Sequence, residues 1–245
     1  MYSYDARIRY SETDADLKLS MVGLVKYFQD ATIFDSESGK AGMTYLNPRN
    51  LVWVLSSWQI EINRMPNLNE VVTITTIPYE FKSFMGFRNF LMETADGETL
   101  AKATSLWTLI NMQTGKPEKP DEFILSAYEL GEKIEMNYKP RKIHVEGDAQ
   151  VLDGFKVLPT QIDSNHHVNN AEYVNMAVAC LPERKQIREM RVEYKTSAYL
   201  GDVIVPYIYE QNTDAEQKMQ IQLCGKNQEE ASKMDTYAVI EFSYV

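Results

Sequence analysis

The sequence predicts an α+β chain built from two similar halves, each with one long helix and several antiparallel strands. One observation is an amphipathic helical segment followed by four β-rich segments, an order that occurs twice along the 245 residues. The second is composition: 44% hydrophobic and 24% charged residues are typical of a globular protein. The third is that no run approaches the ~20 apolar residues of a membrane helix. We therefore expect a folded protein without a membrane-spanning segment.

The first half begins with a strand predicted over residues 4–11 and a polar turn over 11–16. A helix ending near Gly39 is then predicted by apolar residues at i, i+3, i+4 and i+7 spacing. These residues are Met21, Leu24, Val25, Phe28, Ala31 and Phe34. Four β-rich segments follow at 51–63, 71–82, 84–94 and 99–112. The pair Asp96-Gly97 predicts a hairpin turn between the last two segments, because it tolerates positive φ.

The second half repeats this order after a Pro- and Gly-containing break near residue 120. A helix is predicted over 169–181, where Pro182 stops it. The β-rich segments that follow lie at 188–197, 202–211, 216–225 and 232–245. We accordingly predict three parts of the chain: a first domain over 1–120, a linker over 121–148 and a second domain over 149–245.

A self-comparison supports an internal duplication. The segment that begins at Asp14 lies over the one that begins at Asp163, an offset of 149 residues (163 minus 14). Leu68 lies over Leu200 at a smaller offset of 132 (200 minus 68). A helix wrapped by a strongly curved antiparallel sheet, present twice, is the hotdog arrangement, and we expect the two copies to pair as a double hotdog. Lys18 stands where the second copy has His167.

Charge and cysteine content narrow the class of protein. A net charge of -10 argues against non-specific nucleic-acid binding, which depends on phosphate neutralisation. Cys180 and Cys224 are the only cysteines, and their apolar or small neighbours predict two buried, reduced thiols. The first residues, 1–5, lack the basic start and the apolar core of a signal peptide, so we expect a cytoplasmic protein.

Two clusters of basic residues interrupt the acidic sequence. They attract an anionic partner or form solvated charged faces, and both readings stay open. The clusters comprise Lys139, Arg141 and Lys142, and Arg184, Lys185, Arg188 and Arg191.

The stretch from Asp163 to Asn170 concentrates titratable and hydrogen-bonding side chains and contains two of the three histidines. In an extended conformation, alternation places Asp163, Asn165 and His167 on one side. Asn169 or Asn170 is a suitable N-cap for the following helix, whose free N–H groups favour negative charge. A carboxylate, an amide and an imidazole then face one substrate atom. The alternative, an Asn-rich cap and turn with surface histidines, stays open.

This stretch resembles a motif of the acyl-acyl-carrier-protein thioesterases of bacteria and plant plastids, Asp-x-Asn-x-His-Val-Asn-Asn followed closely by Tyr. The matching residues are Asp163, Asn165, His167, Val168, Asn169, Asn170 and Tyr173. The first half is similar to the same family at Arg64, Pro66, Glu70, Val71, Val72, Gly86, Arg88, Trp107, Asn111, Pro120 and Asp121, among others.

The resemblance implies a double-hotdog fold and hydrolysis of the thioester that joins a fatty acyl chain to acyl carrier protein. It implies no cofactor or metal, acyl carrier protein as partner, and a monomer or homodimer. It makes Asp163, Asn165 and His167 the catalytic residues. The nearest alternatives are an acyl-coenzyme A thioesterase of the same fold and a non-catalytic acyl-binding hotdog protein.

The sequence departs from the plant pattern in one strand, where a Glu and a Cys have been given catalytic roles. Ser197 and Ala198 stand at these positions if the tyrosines are aligned. A Cys/His nucleophile is therefore not available there. Ser197 is a candidate water-binding residue or an ordinary strand serine.

Thioester hydrolysis needs an activated water and stabilisation of the oxyanion. We expect Asp163, alone or with His167, to activate the water and Asn165 to position it; a covalent route through Asp163 stays open. Backbone N–H groups of Val168, Asn169 and Asn170 are the predicted oxyanion donors. The resemblance places the acyl pocket mainly in the first half, where Met21, Phe28, Trp53 and Trp107 are candidate lining residues; plain core is the competing role for each.

Overall fold

The computed structural model describes residues 1–181, 186–212, 217–226 and 234–244. The chain forms two compact units, Met1–Tyr138 and Lys139–Val245. The point of division falls inside residues 121–148, the predicted linker. In the part of the chain that is described, no helix combines the length and apolar character needed to cross a membrane.

The first unit contains an antiparallel sheet with strand order β1-β3-β4-β5-β2, in which β6 also pairs with β5. The strands are β1 (Tyr2–Arg7), β2 (Leu51–Ile62), β3 (Val71–Lys82), β4 (Met85–Thr94), β5 (Thr99–Asn111) and β6 (Lys116–Pro117). The four long predicted strands are confirmed to within one residue at each end. The predicted hairpin between β4 and β5 is also confirmed, with Gly97 at φ +83°.

The first predicted strand is wrong at its C-terminal end. It stops at Arg7, and Tyr10–Glu12 form a short 3-10 helix instead. The physical reason is local hydrogen bonding: the Glu12 carboxylate accepts the N–H of Arg9 at 3.0 Å and so closes the backbone into a turn.

Ser20 is the N-cap of helix α1 (Met21–Ser38). Its hydroxyl accepts the N–H of Gly23 at 3.1 Å. The buried face of α1 packs on the sheet, where the Phe28 ring lies 6.1 Å from the ring of Trp58 and 5.2 Å from that of Phe90. Two further helices are short, α2 (Met43–Leu46) and α3 (Glu122–Ser126). The predicted long helix is therefore confirmed.

The second unit repeats the plan with strand order β9-β12-β11-β10-β7, and β8 also pairs with β10. Its elements are β7 (Gln150–Val151), β8 (Phe155–Lys156), α4 (Asn170–Ala179), β9 (Ile187–Tyr194), β10 (Val203–Asn212), β11 (Gln217–Lys226) and β12 (Met234–Tyr244). Helix α4 packs on this sheet through Tyr173, whose ring contacts those of Tyr194 and Tyr237. The predicted fold class, α+β with two consecutive hotdog units, is confirmed.

Three details of the second unit differ from the sequence prediction. The strand expected over 188–197 ends at Tyr194, and the two-residue strands β7 and β8 were not predicted. The proposed helix stop at Pro182 lies outside the described residues, as do Arg184 and Lys185 of the second basic cluster.

The connecting segment lies on the sheets rather than extending free of them. In the first unit, Gly131 donates to the carbonyl of Pro78 at 2.8 Å, and Ile134 donates to the side chain of Asn89 at 3.2 Å. In the second unit, the N–H of Ile143 donates to Glu193 at 3.1 Å. This segment is therefore held mainly by polar side chains of the strands that it crosses.

The first basic cluster belongs to this segment. Lys139 forms an ion pair with Glu189. Arg141 and Lys142 are exposed. From the second cluster, Arg191 pairs with Glu241 at 2.8 Å, so its charge is already balanced inside the unit.

Candidate active site

The residues from Asp163 to Val168 form a closed turn. They do not form the extended segment in which Asp163, Asn165 and His167 would alternate onto one side. The N–H of Asp163 donates to the carbonyl of His167 at 3.0 Å, and the N–H of His166 donates to the carbonyl of Asp163 at 3.0 Å. Ile162 and Val168 bridge the base of the turn. His166 takes the left-handed conformation with φ +64°. The prediction of an extended stretch was therefore wrong.

The turn brings Asp163 and His167 together. Nδ1 of His167 lies 3.7 Å from Oδ1 of Asp163, and the two side chains are 28% and 18% exposed. Oδ1 of Asp163 also accepts the N–H of Asn165 at 2.8 Å, the local bond by which an Asp stabilises a turn. Asn165 itself is exposed, so the contact between these two residues runs through the Asn165 backbone and not through its amide side chain.

The surroundings of the His167 imidazole favour one tautomer. Its Nδ1 lies 3.3 Å from the carbonyl oxygen of Val168 and 3.7 Å from the Asp163 carboxylate. Both neighbours are acceptors, which favours the neutral form with its proton on Nδ1 and a lone pair on Nε2. The ring is therefore set up to accept a proton at Nε2. His166 is exposed, and His144 lies in the connecting segment, so neither belongs to this pair.

The start of helix α4 limits which backbone groups can stabilise an oxyanion. Asn169 is the N-cap, and its side chain accepts the N–H of Ala171 at 2.9 Å. The N–H of Val168 already donates to Ala198, and that of Asn169 to Gln161, each at 2.9 Å. These two predicted oxyanion donors are thus engaged within the protein. Asn170 remains, because the first N–H of a helix has no intrahelical acceptor.

Ser197 lies in the loop after β9 and not in a strand, since the strand ends three residues earlier at Tyr194. It is half-buried. Its neighbour Ala198 makes the contacts with the turn: the carbonyl of Ala198 accepts from Val168, and its N–H donates to the hydroxyl of Tyr173 at 2.8 Å. The reading of Ser197 as an ordinary strand serine was therefore wrong, and its water-binding role stays a prediction.

Two tyrosines that the sequence analysis gave no role hold this region. Besides the Tyr173 contact with Ala198, the hydroxyl of Tyr194 donates to the carbonyl of Asn170 at 3.0 Å. Burial raises the pKa of both phenols, so both hydroxyls stay protonated at neutral pH. The partners lie 24 or 25 residues apart, which hides the contacts from any local pattern.

The first unit contains the same turn. The N–H of Asp14 donates to Lys18 at 2.7 Å, that of Leu17 donates to Asp14 at 3.2 Å, and that of Asp16 donates to the Asp14 carboxylate at 2.8 Å. Thr13 and Leu19 bridge its base, and Leu17 has φ +57°. Every one of these features recurs 149 residues later. The predicted duplication is therefore confirmed at the level of individual hydrogen bonds.

The candidate acyl-pocket residues all lie in the first unit. Met21, Phe28 and Trp107 are buried, and Nε1 of Trp107 donates to Ser105 at 2.7 Å. Trp53 packs near Phe81, with 6.0 Å between the ring centroids. The buried Nε1 of Trp53 has no hydrogen-bond partner among the described residues. The lining role of these four residues stays a prediction.

The cysteines do not offer a nucleophile. Both are buried and unpaired, as predicted. Burial raises the pKa of the Cys180 thiol to about 11, so the thiolate is scarce at neutral pH. Within the described residues, no group of three or more His, Cys, Asp and Glu side chains is placed to hold a metal ion.

Comparison with known proteins shows which family this chain belongs to. The model of the acyl-ACP thioesterase N-terminal domain matches residues 1–128, and that of the C-terminal domain matches residues 144–238. This chain belongs to the acyl-ACP thioesterase family. The suspected resemblance is confirmed, and the turn with His167 lies in the C-terminal family domain.

Named relatives and solved structures agree with this membership. A chloroplastic acyl-acyl-carrier-protein hydrolase of Cuphea viscosissima is 26% identical over 213 residues, or 80% of this chain and 52% of the relative. A palmitoyl-acyl carrier protein thioesterase of Arabidopsis thaliana is 26% identical over 77% of this chain and 50% of its own length. The chain thus spans about half the length of the curated relatives that it matches.

The fold is shared with solved members of the family. An acyl-ACP thioesterase from Bacteroides thetaiotaomicron superposes with a TM-score of 0.86 at 22% identity, covering 100% of this chain and 97% of its own. The 12:0-ACP thioesterase from Umbellularia californica gives 0.82 at 19% identity, covering 98% and 95%.

Proposed function

We propose that this protein hydrolyses the thioester of fatty acyl-acyl carrier protein, releasing a free fatty acid and acyl carrier protein, and that His167 is its general base. Family membership and the names of the relatives support the reaction and the partner. The observation that carries the mechanism is the placement of Nδ1 of His167 near two oxygen acceptors, which favours the tautomer with a lone pair on Nε2.

In the proposed reaction, Nε2 of His167 removes a proton from water as the water oxygen attacks the thioester carbonyl carbon. The resulting tetrahedral intermediate breaks its C–S bond, and the departing sulfur takes the proton from Nε2. The imidazolium that forms between these steps is stabilised by the Asp163 carboxylate at 3.7 Å and by the carbonyl of Val168. General base catalysis of this kind contributes about 10²- to 10⁴-fold.

The remaining motif residues bind rather than transfer protons. We assign the exposed amide of Asn165 to orienting the water or the thioester, because an amide does not ionise. The oxyanion is assigned to the N–H of Asn170 at the start of α4, where the helix dipole favours negative charge. One such donor is typically worth roughly 3 kcal/mol in the transition state.

A water route is favoured over a covalent acyl-Asp163 intermediate. Oδ1 of Asp163 is already bound to the N–H of Asn165, and Asp14 makes the same bond in the copy that lacks a histidine. The carboxylate therefore has a structural task in both units. Its proposed electrostatic role, stabilising the imidazolium of His167, exists only in the second unit.

Steady-state hydrolysis of a ladder of acyl-acyl carrier protein thioesters tests the proposal. We expect turnover by the wild type and a loss of about 10²- to 10⁴-fold in kcat for His167→Ala. The neighbouring His166→Ala is the matched control and is expected to stay within about twofold, because its side chain is exposed and apart from the pair.

Three outcomes would contradict the proposal, in its mechanism, its activity or its substrate. Near-normal kcat in His167→Ala would remove the general base. Retention of the acyl thioester without turnover by the wild type would instead identify a non-catalytic acyl-binding protein. The same acyl chains on coenzyme A form the comparison series, and a preference for them would replace acyl carrier protein as the substrate.

A further inference from the structure

We propose that Tyr173 is a positioning residue for His167, acting through the backbone of Ala198 and of Val168. The inference rests on the proposed function, since it concerns the general base of that reaction. It assigns a role to the tyrosine that closes the sequence motif and that makes no direct contact with the imidazole.

The connection is a continuous series of hydrogen bonds. The hydroxyl of Tyr173 accepts the N–H of Ala198 at 2.8 Å. The carbonyl of Ala198 accepts the N–H of Val168 at 2.9 Å. The carbonyl of Val168 lies 3.3 Å from Nδ1 of His167 and is a hydrogen-bond acceptor for the tautomer that is protonated at Nδ1. Within Ala198 and within Val168, the N–H and the C=O belong to adjacent peptide units that meet at Cα, so a shift at one bond reaches the next through the backbone of a single residue.

Every group between the phenol and the imidazole is buried. Tyr173 is 2% exposed, Ala198 is fully buried and Val168 is 1% exposed. Water therefore cannot replace the phenol as acceptor for the N–H of Ala198 without a rearrangement of this region. Burial also raises the pKa of Tyr173, which keeps its hydroxyl neutral and excludes it as a titrating group near neutral pH.

The duplicated turn of the first unit is an internal control. The link nearest the turn is present there too, because the N–H of Leu19 donates to the carbonyl of Pro66 at 2.8 Å. The counterpart of the hydrogen bond between Ala198 and Tyr173 cannot form in the first unit, because both of its groups are missing. Pro66 occupies the position of Ala198 and has no N–H, while Leu24 occupies the position of Tyr173 and has no hydroxyl.

The two copies thus differ together at three places. Where the turn carries His167, the chain supplies both an N–H at Ala198 and a phenol at Tyr173 to receive it. Where the turn carries Lys18, the chain supplies neither. The bonds that close the turn recur in both copies, while the first copy has one of its own, from the N–H of Leu68 to the carbonyl of Leu17 at 2.7 Å. The link to the phenol thus accompanies the imidazole.

The test is Tyr173→Phe, which keeps the ring and removes the acceptor. We expect kcat on acyl-acyl carrier protein to fall about tenfold with KM changed by less than about twofold, because the ring of the base is misplaced and substrate contacts are not. Tyr4→Phe is the matched control: its hydroxyl also makes one backbone bond, to Tyr27 at 3.1 Å, but in the unit without the imidazole. We expect it to leave kcat unchanged.

The second readout is nuclear magnetic resonance of the imidazoles, which is simplified because the chain has 3 histidines. In Tyr173→Phe the ring resonances of His167 are expected to move, while those of His144 stay. General loosening of the protein would not select one histidine in this way. Circular dichroism confirms that the variant is folded.

Ala198→Pro supplies a variant that does not depend on the stability of Tyr173→Phe. It copies Pro66, so the N–H is gone while the carbonyl that holds Val168 is kept. If the connection is real, adding Tyr173→Phe to Ala198→Pro has no further effect on kcat, because the bond has already been removed. Full additivity of the two losses would overturn the inference.

Failure of this inference is distinguishable from failure of the proposed function. Unchanged kcat and unchanged His167 resonances in Tyr173→Phe would overturn the positioning role while wild-type hydrolysis stands. If the wild type hydrolyses no acyl thioester, the proposed function fails, and the His167 resonances still decide whether Tyr173 positions the ring.

Discussion

Asp163 and Asp14 occupy the same position of the same turn, yet only Asp163 lies beside an imidazole. Each carboxylate accepts a backbone N–H two residues ahead at 2.8 Å. An Asn side chain keeps that acceptor but loses the charge. The turn-forming and electrostatic roles of Asp163 can therefore be separated by one substitution.

We expect Asp163→Asn to lower kcat by about 10- to 100-fold with little change in melting temperature, because the imidazolium loses its neighbouring carboxylate but the turn is kept. Asp14→Asn is the control in the other unit and is expected to change neither quantity. The measurements are steady-state kinetics and thermal unfolding. A large stability loss in Asp163→Asn alone would assign the residue a structural role that Asp14 lacks.

The residue types of the site were predictable, but their geometry was not. His167 and Asp163 stand four residues apart in any conformation, and the motif identified both. The closed turn that joins them depends on the left-handed backbone of His166, a conformation that His adopts more often than most residues but that the sequence pattern alone did not specify. The N–H groups of Val168 and Asn169 donate to the carbonyls of Ala198 and Gln161. Both acceptors lie outside the motif, so the motif could not show that these two donors are already used.

At the scale of elements, hydrophobic periodicity predicted the long strands and both long helices to within about two residues, except at β9, which ends three residues before its predicted end. It failed where an element was too short to show a period, as in the two-residue strands β7 and β8. It also failed where a side chain closed the backbone locally, as Glu12 does after β1. Hydrophobic periodicity shows which residues of α1 are buried. It does not show whether a buried residue packs in the core or lines a pocket.

Phe28 provides the test of that distinction. It is fully buried against Trp58 and Phe90, so we expect Phe28→Ala to cost about 3–5 kcal/mol of unfolding free energy, as large-to-small changes in a packed core do. Phe34→Ala on the same helix is the control, because Phe34 is 43% exposed and its loss is expected to cost much less. Chemical denaturation measures both. A Phe28→Ala variant of normal stability with an altered acyl-chain preference would place this ring in the acyl pocket instead.

At the scale of the whole molecule, duplication separates the features that both units share from those that only the unit with the proposed active site contains. The closed turn and the capped helix are present in both units, as is a short 3-10 helix, Tyr10–Glu12 in the first unit and Pro159–Gln161 in the second. The imidazole, the N–H of Ala198 and the phenol of Tyr173 are present in one. The repeat was detectable in the sequence only through a few identities, because a turn of this kind needs Asp at one position and tolerates many residues at the others.

Lys18→His tests whether the shared turn is sufficient for catalysis. The backbone carbonyl of residue 18 accepts the Asp14 N–H at 2.7 Å whatever its side chain, so an imidazole fits the turn. Its positioning link would still be missing, because Pro66 has no N–H and Leu24 has no hydroxyl. We therefore expect Lys18→His to leave the wild-type kcat unchanged and to restore no turnover when added to His167→Ala. Restoration of tenfold or more over His167→Ala would mean that the turn alone activates a histidine, and that the chain holds a second, dormant site.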